Sequence, residues 1–127
     1  MLGLSLIAVP TVLYGGLTLL GILSGGAFGT PAPRGLSPVQ QAFYRAGHAH
    51  AGVLLILSLI LQMLVDQVDL GWMEWPVRIG APAAAILVSA GFFGAAHLPA
   101  LIFVLYTGAA LVAGTTLTVG IALVRGR

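Results

Sequence analysis

The sequence predicts an all-α fold: an integral membrane four-helix bundle assembled as a homo-oligomer. Three observations lead there. Hydrophobic residues make up 59% of the 127-residue chain and charged residues 6%, whereas a soluble domain carries about 25% charged residues to solvate its surface. The apolar residues fall into four stretches, each near the roughly 20 residues a helix needs to cross the hydrocarbon. Glycine and proline punctuate the joints between them. A unit of four helices has little interior of its own, and this length predicts one domain over 1–127.

The first span is expected over Leu2–Gly26, with Pro10 as a kink. Met1 to Ser5 carry no basic residue and are read as the start of this helix, not as a signal peptide. Pro31, Pro33 and Gly35 mark a loop. Ser37-Pro38-Val39-Gln40 then has the form of a helix start, with Ser37 as cap, Pro38 in the first turn and Gln40 closing a capping box. The second helix is expected over Pro38–Val65; its first turns are polar (Gln40, Gln41, Arg45), so the apolar part begins near Ala46. Asp66 to Trp75 reads as a loop, with Trp72 and Trp75 suited to the aromatic belt at a membrane boundary. The third and fourth spans are expected over Pro76–Ala96 and Pro99–Val124. Their joint is set at His97-Leu98-Pro99, because one unbroken helix through this apolar region would far exceed the membrane thickness.

Net charge is +2, from five arginines against three acids, with no basic run, which argues against a nucleic-acid site. Without cysteine there are no disulfides, thiolate metal sites or c-type haem attachment. Arg78, Arg125 and Arg127 share one side in a four-span topology, and Arg34 and Arg45 the other. This balance favours both termini in the cytoplasm and a multi-pass place in the cell's inner membrane. Gly21, Gly25 and Gly29, at four-residue spacing, and Gly108 and Gly114 in the fourth helix offer close-packing surface for the oligomer.

All three histidines are expected on one membrane face: His48 and His50 near the start of the second apolar span and His97 at the end of the third. Imidazole at membrane depth needs a partner. Ordinary hydrogen bonds to a neighbouring helix or a headgroup would meet that need, as would a metal or cofactor. Helical residues advance about 100° each, so His48 and His50 project to different sides and do not chelate one ion from one helix. Ala46, Gly47, Ala49, Ala51 and Gly52 leave room around them for a neighbouring helix or a flat macrocycle. Tyr44 shares a face with His48. Arg45 can neutralise a propionate or phosphate, or anchor the helix at the headgroups.

Gly47-His48-Ala49-His50-Ala51-Gly52 resembles the His-x-His motif near the outer end of one helix in subunit I of the haem–copper oxidases, where the two imidazoles ligate two different haems. Ala95-Ala96-His97-Leu98 stands where that family places copper-ligating histidines. The family's twelve helices form three arcs of four about a pseudo-threefold axis, and this chain is similar to one arc. It also resembles small bacterial four-helix membrane proteins whose second helix opens with His-x-His. The resemblance implies a homotrimer that binds haem b, with His48 of one protomer and His50 of the next as axial ligands and Arg45 and Tyr44 beside them. It further implies a copper ion or an alternative ligand role at His97, and electron transfer with a redox partner. The family's copper-site histidine pair is reduced to His97-Leu98, and its His-x-x-x-Tyr element is replaced by Gly52 after His48 and Leu54 after His50. Oxygen reduction is therefore not expected. Two other classes stay open: a metal-only protein holding copper or zinc through His48, His50 and His97 of several protomers, and a structural or accessory subunit without a cofactor. A transporter has the least support, since polar cavity residues are sparse.

Overall fold

A computed structural model describes residues 2–26 and 35–126. Four helices make up the fold: α1 (Leu2–Leu23), α2 (Pro38–Val65), α3 (Glu74–Ala95) and α4 (Ile102–Arg125). All four are long and apolar enough to cross a membrane. Their outer faces carry large side chains such as Ile7, Leu17, Val53, Ile86 and Phe103 in exposed positions. These belong in lipid, and the chain is a four-helix integral membrane protein. α3 packs against both α2 and α4, while α1 leans on α2 and makes no extensive contact with α3 or α4. The tightest core, Leu61, Val65, Val77, Ala81 and Val119, joins α2, α3 and α4 at the end away from the histidines.

The head of α2 forms as its sequence dictates. The Ser37 hydroxyl accepts from the Gln40 amide at 3.2 Å, and the Gln40 side chain accepts from the Ser37 amide at 3.0 Å. Gln40 Nε2 also donates to the Ala96 carbonyl at 3.1 Å, so the cap of α2 covers an orphan carbonyl at the end of α3. The α3–α4 joint lies where Pro99 requires it. Leu98 is extended (φ −128, ψ 101), as a residue before proline is driven to be. Pro99–Leu101 then makes a 3-10 turn before regular α-helix resumes at Ile102, three residues later than expected.

The remaining boundaries also differ by a few residues. α1 ends at Leu23, and Gly25 adopts φ 75 in the turn beyond it, so Gly25 is no part of a helical packing stripe. Gly29, Pro31, Pro33, Arg34 and Arg127 lie outside the described residues. A 3-10 turn over Gly71–Met73 feeds directly into α3, which starts at Glu74 and carries Trp75 and Pro76 in its first turn. Gly108 is used within the chain. A Cβ there would stand 2.7 Å from the Val88 amide nitrogen, and one on Gly91 would stand 2.5 Å from that of Leu105, so the two glycines let α3 and α4 touch backbone to backbone. A Cβ on Gly114 would meet nothing within 4 Å.

α3 contains Pro82, which has no N–H for the carbonyl of Arg78 four residues earlier. Gln62 of α2 supplies the missing donor: its Nε2 gives a hydrogen bond to the Arg78 carbonyl at 2.7 Å. The Arg78 side chain turns back to Glu74 Oε1 at 2.9 Å and Asp66 Oδ1 at 2.5 Å. One arginine thus ties the end of α2 to the start of α3.

Candidate cofactor site

The first half of α2 and the turn that follows α3 bring all three histidines toward one end of the bundle. Gly47 is buried where a Cβ would lie 3.1 Å from Phe92 Cβ and 3.2 Å from the Phe93 ring. Its missing side chain seats α2 on the aromatic pair of α3, which is the ordinary packing role for a small residue here. Around that seat, Phe43 meets Phe92 edge-on at 6.0 Å and Tyr44 packs on Phe93 at 5.8 Å. Gly52, by contrast, has open space where its Cβ would be.

His50 is exposed on the α3 side of α2, its ring 4.8 Å from that of Phe92. Its Nδ1 lies 2.7 Å from the carbonyl of Ala46. A carbonyl only accepts, so Nδ1 carries a proton, and in the uncharged form of the ring the lone pair is the one on Nε2. Ligating histidines commonly show this arrangement, a backbone carbonyl fixing the tautomer and ring direction from behind.

His48 points the other way, toward α1. A Cβ built on Gly16 would stand 2.7 Å from His48 Nε2 and 2.8 Å from Cε1, so the half-buried ring occupies the space beside α1 that a side chain at position 16 would need. Neither of its nitrogens is hydrogen-bonded to a described residue. The angular spacing read from sequence is thus realised as two imidazoles facing two different helices.

His97 is bonded instead. Its Nε2 and the Tyr44 hydroxyl are 2.5 Å apart and their rings 5.7 Å. Sequence reasoning put Tyr44 on the face of His48 but missed its contact with His97, which lies 53 residues away in the chain. Tyr44 also borders a groove of about 420 Å³ lined by Tyr14, Gly15, Thr18, Leu19 and Ile22 of α1. Arg45 is exposed and makes no ion pair with a described residue. Among the described residues no three His, Asp or Glu side chains stand close enough to hold a metal ion together. The helix–helix contacts of Gly16 and Gln62 had no sequence signal, because nothing in local spacing says which residue of another helix a side chain will meet.

No protein-family model, curated protein or solved structure matches this chain. Its fold is that of a four-helix all-α bundle that spans the membrane several times.

Proposed function

We propose that the chain binds haem b between copies of itself, with His48 of one protomer and His50 of the next as axial ligands. The observation that carries this reading is the state of His50: proton fixed on Nδ1 by the Ala46 carbonyl, Nε2 free, ring on the outside of the bundle. A group held there takes its second ligand from another molecule, because His48 faces away on the opposite side of the same helix. The donor set suits the group: two imidazoles, an apolar aromatic wall in Phe92, and the exposed Arg45 near the helix head to neutralise a propionate. When bound, a bis-histidine haem supplies one-electron transfer. The chain's own part is to orient the two imidazoles and exclude water from around them. His97, already bonded to Tyr44, serves beside this site as a lesser ligand for copper or as the partner of Tyr44. We take the assembly to be a trimer in the cell's inner membrane, with both termini cytoplasmic and the histidine end outward.

A metal-only reading, with copper or zinc held by His48, His50 and His97, would need several protomers for one ion, since no three ligands converge within the described chain. The two readings separate on one experiment. Protein expressed with ample haem and purified in mild detergent is expected to show a Soret band, lost or reshaped across the whole population by either His48→Ala or His50→Ala. His97→Ala leaves it largely intact. Wild-type protein without Soret absorption, yet carrying copper or zinc, would replace the haem reading with the metal one.

A further inference from the structure

We propose that the crevice between α1 and α3 is a binding site for a lipid-soluble carbonyl compound, whose oxygen accepts a hydrogen bond from the Ser89 hydroxyl. The crevice has a volume of about 550 Å³ and runs from Leu4 to Val12 along α1 and from Pro82 to Phe93 along α3, with Ala51 and Leu55 of α2 completing its wall. That volume falls in the range of small-molecule sites, about 300–1,000 Å³. Apart from Ser5, Thr11 and Ser89, every side chain that lines it is apolar. No histidine lines it, nor does Arg45, so the crevice is separate from the site above and its occupant is not tied to the haem reading.

The hydroxyls set the chemistry of the occupant. A hydroxyl within a helix commonly closes onto a carbonyl one turn back. Thr11 does so, to Ala8 at 2.6 Å, as do Thr18, Thr107 and Thr118. Ser89 does not: it is 9% exposed, and its buried oxygen has no hydrogen-bond partner. Ser5, on the opposite wall and 4% exposed, hydrogen-bonds no described residue either. A buried hydroxyl without a partner is costly. Ser89 also stands eight residues before His97, about 12 Å deeper along the helix, where lipid headgroups and their ester carbonyls do not reach. Water is a poor occupant, since a held water needs about two to four polar partners. A plain hydrocarbon chain would fill the crevice and leave both hydroxyls unbonded. A carbonyl on an apolar body meets both needs: the body fills the crevice and the oxygen accepts from Ser89, with Ser5 as a second donor from the α1 side.

The test follows thermal unfolding of the full chain in mixed micelles by circular dichroism, because a compound that binds the folded state raises the midpoint as its concentration rises. Three probes separate the sources of the oxygen. A decyl-substituted benzoquinone offers a ring carbonyl, a long-chain methyl ketone offers a chain carbonyl, and an alkane of the same length offers none. At least one carbonyl probe is expected to raise the midpoint saturably at concentrations about fivefold or more below those the alkane needs, and the tighter of the two identifies the source. Ser89→Ala keeps the shape of the wall and removes the donor. Its unliganded midpoint stays the same or rises, since an unpaired buried hydroxyl is gone, while the carbonyl probe loses its advantage over the alkane. Ser58→Ala removes another buried, unbonded hydroxyl that does not line the crevice, and leaves binding unchanged. Ala8→Leu fills part of the crevice and weakens all three probes. Where Ala8→Leu itself fails to fold, Ser89→Ala carries the test. Two carbonyl probes that bind no better than the alkane overturn the proposal, as does a carbonyl probe held equally tightly by wild type and Ser89→Ala. In either case the Ser89 hydroxyl turns back onto its own helix and the crevice holds ordinary lipid chains. The Soret experiment above has no bearing on these outcomes, so this proposal and the haem reading fail separately.

Discussion

Replacing Gln62 with leucine tests how α3 tolerates its proline. Gln62 is 1% exposed, and its amide donates to the Arg78 carbonyl that Pro82 leaves without a helical partner. Leucine keeps most of the volume and removes the donor. A buried carbonyl left unsatisfied costs about 1–3 kcal/mol, a loss of roughly 5- to 150-fold in the folding equilibrium. The other interaction of the amide, from Arg78 Nη1 to Gln62 Oε1 at 3.5 Å, is long, and Arg78 keeps Glu74 and Asp66. Nearly all the loss should therefore belong to the carbonyl. Pro82→Ala returns an N–H to that position, so Gln62→Leu in a Pro82→Ala background should cost no more than about 0.5 kcal/mol. The four proteins form a double-mutant cycle, measured by reversible unfolding in mixed micelles followed by circular dichroism. An equal cost of Gln62→Leu with and without Pro82 would refute the argument that the amide stands in for the proline's missing hydrogen.

Gly91→Ala should destabilise by about 1–3 kcal/mol by wedging α4 off α3, since its methyl meets the Leu105 backbone; Gly114→Ala should leave the melting midpoint unchanged. Ser58 is 1% exposed with an unbonded hydroxyl, so Ser58→Ala should be neutral or stabilise by about 1 kcal/mol, and a clear drop in thermal stability would mean that a partner had been lost. Tyr44→Phe keeps the ring on Phe93 and removes the bond to His97. It should cost about 0.5–1.5 kcal/mol and raise the rate of acylation by diethyl pyrocarbonate at His97 alone.

Local rules made the elements legible in the sequence. The run of apolar residues gives four spans because the bilayer sets their length. Ser37 and Gln40 specify a helix start through bonds only three residues apart, and Pro99 forces Leu98 out of helical geometry and so divides α3 from α4. Angular spacing likewise sent His48 and His50 to different neighbours. Which neighbours they would be was not legible. That His48 meets Gly16, Tyr44 meets His97 and Gln62 meets Arg78 depends on how helices distant in sequence lie against one another. The four-residue glycine pattern misled for the same reason: Gly25 serves the turn after α1, and Gly108 packs inside the chain.

In the proposed assembly each cofactor is shared, one imidazole from each of two chains. Co-expression of His48→Ala and His50→Ala proteins tests it most directly. Each alone lacks one ligand at every site. In a mixed ring, an interface is whole wherever a protomer that keeps His48 precedes one that keeps His50, about one interface in four under random mixing. The co-purified assembly is expected to show the bis-histidine Soret band at roughly that fraction of the wild-type intensity, with neither variant showing that form of the band alone. A mixture with no more of the bis-histidine band than its components, from a wild type that binds haem, would mean that the two ligands are not shared between chains.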